Sequence, residues 1–459
     1  MSLIPDAVPS TPRASRKEIF GWAMFDFANQ AYTLLIITVV FGELFTTVIV
    51  GDRGDGYRLA NFLWSLALAV SYLLVVITGP LCGAVMDYQA SKKRFLFASY
   101  LATVATTAML YFVAPGYVLL GLALIILSNY AYSMGESFIA AFLPDLGPPE
   151  DMGKISGFGW ALGYVGGLFA AGFTLLVLGE ASAENFERIR WVGPFAAGFF
   201  LVTAIPTFMW VKERGTPQPP GKPYREIARE RVATTLHELR RFRDLGLFLV
   251  SLLFSMAGVY IIIAFAFIYG AQVIGWDESV RNIMFIIVQI TAAAGALGFG
   301  FIQDRIGTKI TYLFTLTLWV AAIIAIWATP EVTVFLNDRF GLGWEAQHLF
   351  LFVGCLAGLS LGSSQSASRA LVGLFSPRRK AAEFFGFWGL ANKLAGVIGI
   401  VALGLLQTVV GLQASILLCV ALFLIAILIC LGVNQARGQQ AALDWETRDW
   451  AARHGADGT

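Results

Sequence analysis

The chain has 459 residues, of which 57% are hydrophobic and only 14% charged, with a mean hydropathy of +0.71. A water-soluble domain carries about 25% charged residues, so most of this surface must face lipid, and the net charge of +2 carries no nucleic-acid footprint. Cys82, Cys355, Cys419 and Cys430 all fall in apolar stretches, with neither a disulfide frame nor metal-ligand spacing. The polar start with Arg13, Arg16 and Lys17 does not read as a cleavable signal peptide.

A helix crossing a bilayer needs about 20 apolar residues. Twelve such stretches are predicted, at about 19–48, 60–86, 94–114, 117–142, 155–178, 191–211, 246–273, 281–302, 308–329, 348–375, 383–409 and 412–433. An even number places both termini on one side. One set of loops holds only six basic residues, Arg53, Arg58, Arg188, Arg190, Arg281 and Arg339, against a large excess in the other. The basic side, with both termini, is therefore expected to be cytoplasmic. Without an Asn-x-Ser/Thr sequon, the chain fits a bacterial inner membrane.

Four regions follow: a six-span half at 1–211, a cytoplasmic linker at 212–245, a second six-span half at 246–433 and a tail at 434–459. The linker opens on Pro217, Pro219, Pro220, Gly221 and Pro223. A helix is predicted from Tyr224 to Phe242, with Ala228, Val232, Leu236, Leu239 and Phe242 at helical spacing. It reads either as an interfacial amphipathic helix against anionic lipid or as a solvated linker helix. The tail after Asn434 is polar, and its last residues are expected to be disordered.

The second half repeats the first. Gly83-x-x-x-Asp87, followed by Lys92, Lys93 and Arg94, recurs 217 residues later as Gly300-x-x-x-Asp304 with Arg305, Gly307 and Lys309. Pro144 and Pro377 end the fourth and tenth spans, and eight residues before them stand Glu136 and Arg369. Gly157-Phe158-Gly159-Trp160 opens the fifth span and Gly386-Phe387-Trp388 the eleventh, so that Tyr164 corresponds to Lys393 and Gly167 to Gly396. A duplicated set of spans is a transporter architecture.

The two loops after spans two and eight resemble those of the major facilitator superfamily. The segments 21–32 (GWAMFDFANQAY), 142–167 and 365–393 are similar to its vacuole-effluxer-like branch, which includes fungal vacuolar amino-acid effluxers. One departure is Tyr88-Gln89-Ala90-Ser91 after Asp87, where the second loop keeps an Asp-Arg-x-Gly core. The resemblance implies an all-α membrane protein with twelve transmembrane helices in two six-helix pseudo-repeats, the major facilitator fold. It also implies that spans one, four, seven and ten line a central cavity.

A charge inside a bilayer costs at least about 2.5–3.5 kcal/mol, so each one is a candidate for function. Asp26 lies roughly 14 Å into the membrane from Lys17 at helical rise, with Asn29, Gln30 and Thr33 on the same stripe. Its alternative role is a plain bond to a neighbouring backbone or to a hydroxyl such as that of Tyr32. Asn129, Ser133 and Glu136 form a stripe on span four, Gln365 and Arg369 on span ten, and Trp388 and Asn392 flank Lys393 on span eleven. Glu136 and Arg369 stand at one level, suited to gating or coupling or to a static buried ion pair with each other. Lys393 is too deep to reach the interface and is expected to meet substrate or a counter-ion.

Asp87, Lys93, Arg94, Asp304, Arg305 and Lys309 are assigned to gating. An acidic loop residue can seat on the amino end of a neighbouring helix, where unpaired N–H groups favour an anion. The resemblance implies span eleven for Asp87 and span five for Asp304; a loop ion pair to Lys93 or Arg305 is the alternative. Gly159, Gly163 and Gly167, and Gly354, Gly358 and Gly362, are spaced for close helix packing.

No phosphate-cradling loop, intramembrane histidine, cofactor motif, metal-ligand spacing or nucleophile–base pair is visible, so neither an ATP motor nor an enzyme is expected. The reading is a secondary transporter, acting as a monomer in the lipid bilayer. It moves a small zwitterionic or anionic, amino-acid-like metabolite by alternating access, with proton-coupled export as the working direction. The rival readings are an exporter of amphiphilic drugs or lipids, and a receptor or assembly factor that does not transport.

Overall fold

The computed structural model describes residues 12–51, 58–173, 177, 184–218, 221, 223–237 and 241–454. Among them there is no β-strand; lipid offers backbone groups no partners, and a helix satisfies them within itself. Among the described residues eleven helices are long and apolar enough to cross a bilayer. They are Arg16–Val50, Leu59–Gln89, Lys92–Phe112, Val118–Asp145, Pro149–Phe173, Phe186–Trp210, Arg243–Ile274, Ser279–Ile306, Thr308–Phe340, Ala346–Phe375 and Arg378–Ser415. These are spans one to eleven. The twelfth, Leu418–Leu431, continues over a 60° bend into the tail helix and begins later than position 412: Gly411 (φ 79°) kinks the chain, residues 412–415 remain helical, and a turn at 416–417 precedes Leu418.

Spans one and seven share an irregularity. Span one is α-helical over Arg16–Ala31, widens to π geometry over Tyr32–Val39 and again over Phe45–Val50, and ends at Gly51 with φ 66°. Span seven is α-helical over Arg243–Tyr269, turns π over Gly270–Ile274 and ends at Gly275 with φ 70°. A π stretch is uncommon and concentrates at functional elements.

The two halves cross most closely where spans two and eleven meet and where spans five and eight meet. A Cβ on Gly83 would lie 2.2 Å from the Ala382 carbonyl oxygen, and one on Gly157 would lie 2.4 Å from that of Ala296. Only glycine fits at either crossing, and the backbones touch there. Within the second half, Gly362 does the same for span ten against Ala292 of span eight.

The linker helix, Tyr224–His237, is not simply a lipid-facing or solvated rod. Ile227 and Ala228 are buried, and Arg231 donates to the Ala84 carbonyl (3.3 Å) while lying over the Tyr88 ring, so the helix rests on the end of span two. Leu239 and Arg240 lie outside the described residues, and Phe242 packs edge-on against Phe384 as span seven begins. The polar tail is helical over Gln435–His454. Glu446 accepts the Arg378 N–H at 2.7 Å, Asp449 pairs with Arg379 at 3.5 Å, and Lys380 sits over Trp445. Those bonds hold the tail against the first turn of span eleven. Residues 455–459 lie outside the description.

Candidate functional site

The face that carries Pro12 and the tail helix, here the terminal face, is closed by two matching contacts. Asp87 accepts the N–H groups of Ala382 (3.2 Å) and Glu383 (2.9 Å) at the start of span eleven. Asp304 accepts those of Gly153 (2.9 Å) and Lys154 (3.0 Å) at the start of span five. Each carboxylate meets unpaired donors and the positive end of a helix dipole. Each contact also joins one half to the other.

The basic residues of these loops do other work. The Lys93 N–H donates to Glu213 (2.6 Å) and its ammonium to the Val211 carbonyl (2.8 Å), just past span six. Lys309 repeats this on Gln435 (2.9 Å) and the Leu431 carbonyl (3.1 Å), at the end of span twelve. Both therefore tie their own half together instead of pairing with Asp87 or Asp304. Arg94 and Arg305 are exposed. The cation near Asp87 is buried Lys92, bonded to Asp145 (3.0 Å) and the Ala141 carbonyl (3.1 Å); Lys154 stands 3.6 Å from Asp304.

A further matched pair escaped the sequence reading. Glu18 pairs with Arg214 (2.6 Å) and accepts the Lys212 N–H, while Asp244 pairs with Arg437 (2.7 Å) and accepts the Asn434 N–H. An acid in the first turn of the first span of each half, with a basic residue just past its last span, is the signal that would have found it.

Within the spans the charges are paired, but not as Glu136 with Arg369. Arg369 lies 2.7 Å from Asp26, donates to the Ser156 hydroxyl (3.2 Å) and carbonyl (2.8 Å), and is flanked by the Trp22 and Trp160 rings at 4.6 and 5.1 Å. Span ten places Arg369 against spans one and five, out of Glu136's reach. Glu136 meets Lys393 at 2.9 Å, with the Tyr72 and Tyr132 rings 5.3 and 5.9 Å from the ammonium. The Tyr132 hydroxyl donates to Glu136 (2.9 Å) and is 2.7 Å from that of Thr33. Asp26 has no bond to Tyr32, whose hydroxyl meets Ser128 at 2.8 Å. The pairs differ in wetness: the side chains of Arg369 and Asp26 are 3% and 11% exposed, those of Lys393 and Glu136 9% and 26%.

The other sequence candidates gather around these pairs. Gln365 accepts from the Tyr164 hydroxyl across the two halves. Asn129 donates to Ser71 (2.6 Å), Asn392 donates to the Trp388 carbonyl (2.8 Å), and the Gln30 amide lies against Gly163 of span five. Buried Asn29 Oδ1, Ser133 Oγ, Trp160 Nε1, Gln289 Oε1 and Trp388 Nε1 have no hydrogen-bond partner among the described residues. An unsatisfied buried polar atom costs about 1–3 kcal/mol, so these atoms mark places for water or a ligand. Trp22, Trp160, Tyr72 and Tyr132 were missed in the sequence, where an aromatic within a span reads as lipid-facing bulk, and Gln289 was missed as a single amide in span eight.

A family model described as vacuole effluxer Atg22 like matches residues 59–443. An uncharacterised major facilitator-type transporter of Bacillus subtilis, YxiO, is 27% identical over 424 residues, covering 91% of this chain and 93% of that one. Autophagy-related protein 22-1 of Aspergillus niger is 22% identical over 298 residues, 63% of this chain and 48% of the fungal protein, so the match spans about half of that relative. Among solved structures, the proton:xylose symporter XylE superposes with a TM-score of 0.69 at 14% identity, covering 93% of this chain and 98% of that one. The human organic anion transporter MFSD10 gives 0.66 at 15% identity, with 90% and 99% covered. At such identities the likeness establishes the fold, a major facilitator fold of two six-helix repeats.

Proposed function

The chain belongs to the vacuole effluxer Atg22-like family of membrane transporters, and from that premise we propose that it moves a small zwitterionic or anionic, amino-acid-like metabolite by alternating access. The observation that carries this reading is the pair of ion pairs spanning the two halves, Asp26–Arg369 and Glu136–Lys393. Each offers one acid and one base at mid-membrane, the charges a zwitterion needs. Each must also loosen or exchange partners if the halves rock apart. Asp87 and Asp304 act as the gate, broken when the terminal face opens. That face is cytoplasmic in this reading, supported by its excess of basic residues, and a bacterial inner membrane is supported by the Bacillus relative.

Protons are the proposed coupling ion, with Asp26 and Glu136 as carriers and export as the direction. The test uses proteoliposomes under an imposed pH difference, after a thermal-shift screen against amino acids, dipeptides and amphiphilic drugs. At least one of Asp26→Asn and Glu136→Gln should lose uphill accumulation yet keep substrate exchange, because exchange moves no net proton. If both still accumulate substrate, coupling through these carboxylates is wrong; hits among amphiphiles alone would sink the zwitterion reading. Orientation is tested by cysteine labelling of intact cells: Asn337→Cys should react from outside and Lys222→Cys should not. Lys222, like Asp52 and Arg53 in the first outer loop, lies outside the described residues.

A further inference from the structure

Lys393 belongs to the second half, yet most of what surrounds its ammonium belongs to the first. Glu136 of span four supplies the counter-charge, Tyr72 of span two and Tyr132 of span four supply ring faces, and Tyr260 of span seven stands beside them. The pocket is built. Tyr132 is stacked on Tyr32 with ring centroids 4.6 Å apart, and its hydroxyl ties Glu136 to Thr33 of span one. A carboxylate between aromatic faces is the composition that recognises an organic ammonium.

We propose that this pocket of Glu136, Tyr72 and Tyr132 is a binding site for the ammonium group of the substrate, and that Lys393 fills it from within while no substrate is bound. The inference rests on the zwitterion reading above and makes one of its charges specific. When the substrate enters, its ammonium takes the place of the lysine, and the freed Lys393 meets the substrate carboxylate. No bond is made or broken covalently, and no buried charge is left unpaired at the end of the exchange, the condition that makes it cheap.

Three observations favour exchange here over the neighbouring pair. Arg369 is pinned by two bonds to Ser156 in addition to Asp26, and its pair is nearly sealed. Glu136, by contrast, is 26% exposed. Ser133, one turn before Glu136 on the same helical face, and Asn29, one turn before Thr33, each hold a buried oxygen without a partner among the described residues. An ammonium brings three N–H donors, and these oxygens are spare acceptors for them. The ligand class is a primary ammonium carried close to a carboxylate, which excludes N-acylated amino acids and plain carboxylates.

The groups that Lys393→Ala removes beyond Cβ amount to propylammonium, which makes that ion the probe. In the purified full chain, propylammonium should raise the melting temperature of Lys393→Ala saturably, and n-propanol and propionate should not. The rise should disappear in Lys393→Ala/Glu136→Gln, shrink in Lys393→Ala/Tyr72→Leu, persist in Lys393→Ala/Tyr72→Phe, and be absent from the wild type. Where Lys393→Ala or Lys393→Ser does not survive purification alone, recovery of monodisperse protein in propylammonium but not in n-propanol is the same result. No rise and no selective recovery, or equal effects of ammonium and alcohol, or a rise that survives Glu136→Gln, would overturn the site. Failure of uphill transport in proteoliposomes would instead strike the coupling reading and leave the rescue result standing.

Discussion

Asp87 and Asp304 stand 217 residues apart and make the same contact, each a carboxylate on two N–H groups at the start of a helix in the other half. Lys93 and Lys309 cap the last span of their own halves, and Glu18 and Asp244 clamp the first. Inside the spans this likeness stops. Both acids, Asp26 and Glu136, come from the first half, and both cations, Arg369 and Lys393, come from the second. The equivalent positions 136 and 369 carry opposite charge, and Tyr164 stands where the second half has Lys393. A frame that closes symmetrically therefore surrounds a centre whose halves attract each other and offer a ligand two different sides. Closing is generic; what is closed upon is not.

The central asymmetry should carry the largest energetic effect. Removing the charge of Arg369 with Arg369→Met leaves Asp26 buried and alone, which typically costs about 3–5 kcal/mol. A sharply lower melting temperature is expected, partly restored in Arg369→Met/Asp26→Asn, where no lone charge remains. Lys393→Met should cost less stability, because Glu136 reaches water, and more substrate affinity. Equal thermal losses in the two variants would erase the distinction drawn between a sealed pair and an exchangeable one.

The gating contacts should be weaker and equal. Asp87→Asn and Asp304→Asn each lose an anion–helix-end interaction of about 0.3–2 kcal/mol. Both variants should fold and shift the population towards a state open at the terminal face, read as faster labelling of a cysteine placed in span five or eleven. Gly83→Ala and Gly157→Ala should act in the same direction, since the added methyl group meets a carbonyl oxygen across each crossing. A shift in one half only would argue that the matching contacts do not work as a pair, and unchanged labelling in all four would reduce the aspartates to static links.

The spans and the duplication were legible because each leaves a periodic or repeated trace in one dimension, whereas the seats of Asp87 and Asp304 were named only by the family resemblance. Partner choice was not legible. Glu136 and Arg369 share a level in the sequence, and level alone suggests a pair; which faces of spans four and ten look at each other depends on packing that the spacing does not contain. The aromatic surroundings of the two cations were hidden for a related reason. A tyrosine or tryptophan within an apolar run looks like lipid-facing bulk until a charge from the other half is placed over its ring. The docking of the tail was not legible in its composition: Gln435–His454 is polar, yet Trp445, Glu446 and Asp449 give it one face that fits the first turn of span eleven at Arg378–Lys380. Polar helices of that kind are held by tertiary contacts, not by an apolar stripe.

The smallest expected effect separates the gate from its frame. Spacing alone assigns Lys93 and Lys309 to gating, because each follows a gating aspartate within six residues. Their contacts place them instead on the carbonyl ends of spans six and twelve, where a cation is worth about 0.3–1 kcal/mol. Lys93→Met and Lys309→Met should therefore each lower the melting temperature slightly. Lying in different halves with no shared partner, they should add in the double variant to within a few tenths of a kcal/mol. Neither should change labelling at the terminal face. If Lys93→Met opens that face as far as Asp87→Asn does, the lysine belongs to the gate, and the end of span six moves with it.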